Sequence, residues 1–231
     1  MGFSVSGVGV IDKAMAILGA VEQSPRSLGE LVEATGYSRA TAHRLAVALE
    51  VHGLVRRDED GRFTLGVRLI ALGRAAAEAI PLAEAALPAL ARLRDETGES
   101  VQLYVRDGDR RVCIAALESP HGLRTIVPMG ASLPLDVGSA GAILSQPPLG
   151  AESAPIRRQW AESVGEREAG VASVSAGVLD TDGAAVAAVS VSGPIERTTR
   201  HPGQRYGESV LDAARSIEAA VGLGLGSRTD A

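Results

Sequence analysis

The stretch Tyr37-Ser38-Arg39-Ala40-Thr41-Ala42-His43-Arg44-Leu45 decides how this chain is read. Ser38 stands where a hydroxyl can cap a helix running from Arg39 to His52. In that helix Ala42, Leu45 and Leu49 recur at helical spacing and turn inward, while Arg39, Ala40, His43, Arg44 and Val47 turn outward. Just upstream, Ser27-Leu28-Gly29-Glu30 is a capping-box pattern opening a short helix, Leu28 to Thr35, which Gly36 ends. An earlier helix, Val10 to Val21, carries Ile11, Met15, Leu18 and Val21 on one face. Two short helices joined by Gly36-Tyr37-Ser38 fit a helix-turn-helix, whose second helix lies in the major groove of DNA. Arg39, Thr41 and His43 are then nearest the bases, and Thr41 and Arg44 suit phosphate contacts that set register.

Gly53 closes that helix, and Leu54-Val55-Arg56-Arg57 runs through Asp58-Glu59-Asp60-Gly61 into Arg62-Phe63-Thr64-Leu65, a two-stranded wing. Arg56, Arg57 and Arg62 can straddle a phosphate backbone, with Phe63 anchoring the hairpin. The same arginines equally form a solvated face with Asp58, Glu59 and Asp60, and small trihelical modules also mediate protein contacts. The candidate DNA-binding set is Ser27, Ser38, Arg39, Ala40, Thr41, His43, Arg44, Arg56, Arg57 and Arg62.

The rest of the chain sets the frame. Its 231 residues, 45% hydrophobic and 22% charged, fit one large or two small globular domains and exclude fibrous and disordered classes. The net charge of -5 argues against wholesale coating of nucleic acid but leaves room for a local basic face. The single cysteine, Cys113, lies in an apolar run, so neither an intrachain disulfide nor a cysteine zinc cluster is available, which suits a reducing cytoplasm. The N-terminal residues lack the positive start of a signal peptide, and no run is long and apolar enough for a bilayer span.

Leu65, Leu69, Leu72 and Ala76 form a stripe within a joining helix, Val67 to Ala79, that wants a partner helix or packs on its own domain. Pro81 breaks the pattern before a helix from Leu82 to Glu96. Strands are expected at Ser100 to Arg106, Arg111 to Glu118 and near Leu123 to Val127, and a short helix near Ser139 to Leu144. A hairpin of Val171 to Asp180 and Ala184 to Ser192 turns on Thr181-Asp182-Gly183, and a last helix spans Gly207 to Val221. Strands joined partly by hairpins suggest an α+β layer, not a parallel doubly wound sheet. The expected domains are 1–66, a linker helix over 67–80, 81–221, and a frayed tail over 222–231.

Catalytic signatures are missing from the chain. His43, His52, His121 and His201 have no metal-ligand spacing. Ser190, Ser192 and Ser139 are not set in a nucleophile elbow. Gly222-Leu223-Gly224-Leu225-Gly226 follows a helix instead of opening one, so it is no dinucleotide loop. No enzyme, metal or cofactor is expected; the alternative class is a protein-interaction or enzymatic α+β module with a helical assembly domain. Ser190 and Ser192 share one face of a strand, where their hydroxyls either hold a ligand's carboxylate or amine or serve the structure.

The run Tyr37 to Leu45, with Leu49, Gly53-Leu54-Val55-Arg56-Arg57, Gly61-Arg62-Phe63-Thr64-Leu65-Gly66 and Leu72-Gly73, resembles the winged-helix signature of the IclR family of bacterial transcription regulators. The likeness continues through Leu133-Pro134-Leu135, Ser139-Ala140-Gly141-Ala142 and Ala187 to Pro194, and the compact length looks most like actinobacterial members that govern leucine and other amino-acid biosynthesis. The resemblance implies a winged helix-turn-helix, a linker helix and a GAF-like effector-sensing domain. It also implies a homodimer, or a tetramer, on a double-stranded operator, and a small effector such as a branched-chain amino acid or organic acid. It places effector contacts at Met129, Leu133, Ser163, Ser173, Ser190 and Ser192, where Ser173 stands at a family cysteine position and Ser163 at a family aspartate position. The segment Ser145 to Glu168 is shorter than its family counterpart and omits part of the pocket cover. With 3% aromatic residues, aliphatic pocket walls are expected.

Overall fold

The computed structural model describes residues 7–78, 81–147 and 159–223. The chain divides into two compact units, Met1–Ala79 and Ile80–Ala231. The tail expected to fray lies almost wholly outside the described residues, as does much of the shortened Ser145 to Glu168 segment.

In the first unit helices α1 (Gly9–Gln23), α2 (Leu28–Thr35) and α3 (Arg39–Val51) precede strands β1 (Val55–Arg57) and β2 (Phe63–Leu65) and helix α4 (Arg68–Glu78). Ser27 and Glu30 close the expected capping box: the Ser27 N–H donates to Glu30 Oε2 at 2.7 Å and the Glu30 N–H to Ser27 Oγ at 3.3 Å. Gly36 ends α2 in the left-handed conformation, φ +69°, so the chain turns at once into α3, where Ser38 Oγ accepts from the Thr41 N–H. One small core of Ile17, Val21, Leu31, Ala42, Leu45, Ala46, Leu49, Val55 and Phe63 unites the helices with the wing. Arg26 adds a backbone rung to the wing, exchanging both hydrogen bonds with Phe63 at 2.8 and 2.7 Å. The apolar stripe does not pack on this unit: Leu65 and Leu72 are exposed, as is Ala76, and only Leu69 is half-buried.

The second unit opens with α5 (Pro81–Thr97), followed by β3 (Ser100–Asp107), β4 (Arg110–Leu117), β5 (Ser132–Pro134), α6 (Ser139–Leu144), β6 (Trp160–Val164), β7 (Val171–Leu179), β8 (Ala185–Pro194), α7 (Ile195–Thr198) and α8 (Pro202–Val221). The strands form one antiparallel sheet in the order β5-β4-β3-β8-β7-β6, giving the expected α+β class. Strand alternation sorts its faces. Val101, Leu103, Val174, Ala176, Val189 and Val191 pack against Leu90, Leu93, Val210 and Ile217 of α5 and α8. Tyr104, Cys113 and Ala188 pack on the other side with Ile143 and Leu144 of α6.

Three expectations need correction. The strand near Leu123 to Val127 does not form: Thr125 and Val127 are buried, but Pro128 has no N–H to give a ladder, and Ser132–Pro134 takes the edge of β4. Helix α8 starts at Pro202, not Gly207, because Pro suits a first helical turn and Gly203 and Gly207 leave room only for the Trp160 ring lying on them. Strand β6 was not expected in the weakly patterned segment that contains it; Ala161 and Ser163 point inward from it.

Candidate nucleic-acid interface and ligand pocket

The outer face of α3 is built by what its inner face buries. With Ala42, Leu45, Ala46 and Leu49 in the core, Arg39, Ala40, His43 and Arg44 are exposed and Thr41 and Val47 half-buried. Among the described residues the side chains of Arg39, His43 and Arg44 have no hydrogen-bond or ion-pair partner, so their donors are free for an external acceptor. Thr41 is partly occupied, taking the Ser38 hydroxyl at 3.0 Å, and Ser27 and Ser38 both act as helix caps. The wing arginines divide. Arg56 is unpartnered among the described residues. Arg57 lies over the Phe63 ring and 3.4 Å from Glu50, and Arg62 reaches Asp58 and Asp60, each at 3.0 Å. Although desolvation opposes it, the Arg62 backbone and side chain hold the Asp58 carboxyl below its usual range. The solvated-face alternative therefore describes Arg62, while the free positive charge lies on α3 and at Arg56.

In the second unit the sheet register gathers polar side chains on the face that α6 covers. Gln102 of β3 pairs with Ser190 of β8, which pairs with Ser175 of β7; Ser192 pairs with Ser173, and Ser173 with Ser163 of β6. Ser190 and Ser192 share this face, since the intervening Val191 points to the helices. The Ser139 hydroxyl, in the first turn of α6, lies 2.7 Å from Ser173 Oγ and 2.8 Å from Ser175 Oγ, and Ser192 donates to Gln102 Oε1 at 3.0 Å.

Above this row opens a cavity of about 390 Å³ including its mouth, lined by Ser139, Ser163, Ser173, Ser190 and Ser192 together with Gln102, Tyr104, Arg111, Arg167 and Glu168. Arg111 is buried, and its Nη1 donates to the carbonyls of Pro134 and Val137, tying down the segment between β5 and α6. Burial pulls its pKa down and the neighbouring Tyr104 pulls it back up; the guanidinium remains a cation. Burial likewise drives the Tyr104 hydroxyl far up, so it is a neutral donor at any physiological pH.

Of the expected effector contacts, Ser163, Ser173, Ser190 and Ser192 meet in this lining. Leu133 and Met129 are not among its residues; Leu133 lies on the edge strand β5, and Met129 is 66% exposed. The expectation of aliphatic walls is overturned: hydroxyls, an amide and guanidinium groups dominate, because β3, β7 and β8 turn their apolar residues to the helices and their polar ones to the cavity. Sequence reading missed Gln102, Arg111, Ser139 and Arg167; the signal available for Gln102 was a polar side chain between apolar residues of one strand, whereas Arg111 follows Arg110 at a strand start.

The comparisons match this architecture in both parts. The model of the IclR helix-turn-helix domain matches residues 10–59, and that of the bacterial transcriptional regulator IclR C-terminal domain matches 74–153 and 145–219. The chain belongs to the IclR family. It is a DNA-binding transcriptional regulator and not an enzyme. Curated relatives include the HTH-type transcriptional regulator KipR of Bacillus subtilis, 27% identical over 91% of this chain and 96% of its own length. The HTH-type transcriptional repressor AllR of Escherichia coli is also 27% identical, over 94% of this chain and 92% of its own. The crystal structure of Thermotoga maritima IclR superposes with a TM-score of 0.70 at 25% identity, covering 94% of this chain and 99% of that one. An IclR homologue of Microbacterium hydrocarbonoxydans, solved with 4-hydroxybenzoate, shares the fold at a TM-score of 0.74 and 20% identity, covering 92% and 98%. Among the described residues no helix is long and apolar enough to cross a membrane.

Proposed function

We propose that this IclR-family protein binds a palindrome-like operator as a cytoplasmic homodimer, and that a small polar metabolite in the serine-lined cavity sets its affinity for that DNA. The observation that carries the reading is the outward face of α3, where Arg39, His43 and Arg44 stand exposed and unpartnered beside the capped helix start. Arg39, Ala40 and His43 meet base edges, while Thr41, Arg44 and Arg56 hold phosphates and fix the register. Ser27 and Ser38 hold the helices that present them, and Arg57 and Arg62 exchange their carboxylate partners for phosphate in the complex. The exposed stripe Leu65, Leu72 and Ala76 supports pairing of two chains, with assembly of dimers into tetramers as the larger alternative.

The ligand is an amino acid or organic acid: the lining offers hydroxyls, an amide, guanidinium groups and the Glu168 carboxylate, so it selects polar ends over the apolar side chain of a branched-chain compound. The proposed targets are amino-acid metabolism genes, as the likeness to compact actinobacterial members suggests. Repression is the favoured output, since AllR, a relative over most of both chains, is a repressor. Footprinting of the full chain on the DNA upstream of its own gene tests the reading. Two protected half-sites, in contact with the same face of the duplex, are expected. Protection that ignores sequence would overturn it.

A further inference from the structure

Arg111 is only 3% exposed, lines the cavity, and meets no carboxylate within ion-pair distance among the described residues. Its Nη1 is occupied by the carbonyls of Pro134 and Val137, whereas its Nε is buried with no hydrogen-bond partner. Its Nη2 lies beside Gly138, another residue of the lining. A guanidinium taken out of water with an unanswered N–H is unfavourable unless an acceptor is supplied. The neighbouring carboxylates are otherwise engaged: Glu168 lies 3.6 Å from Arg167, and Glu166 accepts from the Gly138 N–H at 3.0 Å. Asp136 acts on Arg111 only through its field.

The same unit shows what the vacant edge of such a side chain takes. Arg197 clasps the buried Glu99 carboxylate through Nε and Nη2, at 2.7 and 2.8 Å. Among the described residues the Nε of Arg111 is unanswered and its Nη2 makes no hydrogen bond, with the sheet's hydroxyl row in the same cavity. A planar two-oxygen anion fits the edge bidentately, and the serine hydroxyls suit a second polar group on the same small molecule.

We propose that the Nε–Nη2 edge of Arg111 is the carboxylate clamp of this pocket, and that its ligand is a small carboxylate carrying a second hydrogen-bonding group for Ser139, Ser190 and Ser192. This rests on reading the cavity as the ligand site. The cation also holds the wall of the pocket, since the carbonyls it binds lead directly into α6, so ligand capture and the position of Ser139 are linked through one side chain.

The test is calorimetric titration of the full chain with L-leucine, 4-methyl-2-oxopentanoate, isopropylmalate and 4-hydroxybenzoate, and then with the primary amide of whichever acid binds. The acid binds at least tenfold more tightly than its amide. Arg111→Met weakens the acid roughly 10- to 100-fold, the range of a charge-assisted hydrogen-bond pair, and removes the preference for acid over amide. Arg111→Lys, which keeps the charge but not the fork, falls between them. A purely structural role for Arg111 would weaken acid and amide alike, and that result, or an unchanged preference in Arg111→Met, overturns the clamp while leaving the pocket reading intact. Should Arg111→Met fail to fold, the acid-to-amide ratios of the parent and of Arg111→Lys decide. A parent that binds none of the acids overturns both clamp and pocket, and operator binding by the same preparation shows whether the DNA reading survives.

Discussion

Arg39 and Arg44 lie on the same exposed face, yet their expected roles differ. Arg44→Ala weakens binding to every DNA sequence alike and lowers the slope of log affinity against log salt by about one unit, as loss of a phosphate contact requires. Arg39→Ala relaxes preference at one operator position, at roughly 1 to 3 kcal/mol of discrimination. Binding isotherms on native and singly substituted duplexes over a salt series separate the two; two variants that behave identically would remove the distinction. At this scale the sequence was legible where a single rule governs a residue. Ser27, Glu30, Ser38 and Gly36 sit where capping and turn chemistry put them. Arg111 was not legible, because an arginine pair at the start of a strand looks like a solvated strand end until the fold buries one of the two. The cysteine was read correctly as an apolar-run residue: burial raises the Cys113 thiol to about 11, so it stays protonated at neutral pH.

At the scale of elements, α2 is held at its start by a carboxylate. The backbone and side-chain hydrogen bonds of Ser27 hold the Glu30 carboxyl below the usual carboxylate range. A depressed carboxylate stabilises the fold above its unfolded pKa and loses that contribution as pH falls through the folded one. The stability difference between the parent and Glu30→Gln is therefore largest at neutral pH and fades below about pH 4; denaturant melts at several pH values measure it, and a gap that widened in acid would contradict the capping account. Helix α8 offers a second case. Gly203 and Gly207 admit the ring of Trp160, the single tryptophan of the chain, so Gly203→Ala forces that ring aside and costs about 1 to 3 kcal/mol. Tryptophan emission should shift with it, and unchanged emission and melting would show that the contact tolerates a methyl. These glycines are also why the helix start was misread: in sequence they look like a turn, and only the indole of β6 explains them. The absent strand near Leu123 to Val127 failed for the complementary reason, since apolar alternation records burial and says nothing of where the backbone finds hydrogen-bond partners.

For the whole molecule, the family was legible because its signature lies along one continuous helix and wing, whereas the pocket is assembled by strand register from residues far apart in sequence. In the proposed dimer, half-sites are expected one helical turn, roughly 34 Å, or a multiple apart, and inserting half a turn between them should abolish tight binding. Under the proposed control by a metabolite, ligand and DNA act on each other reciprocally, because the metabolite changes operator affinity only through unequal binding to the DNA-competent and incompetent arrangements.

Fluorescence anisotropy of the full chain on a labelled duplex from its own upstream region, against a scrambled duplex of equal length, bears most directly on the α3 interface. The native duplex should bind far more tightly at physiological salt, the gap should shrink on Arg39→Ala, and a carboxylate that fills the pocket should shift the native isotherm by roughly 5- to 150-fold. Equal affinity for native and scrambled DNA, unaffected by Arg39→Ala and Arg44→Ala, would contradict it.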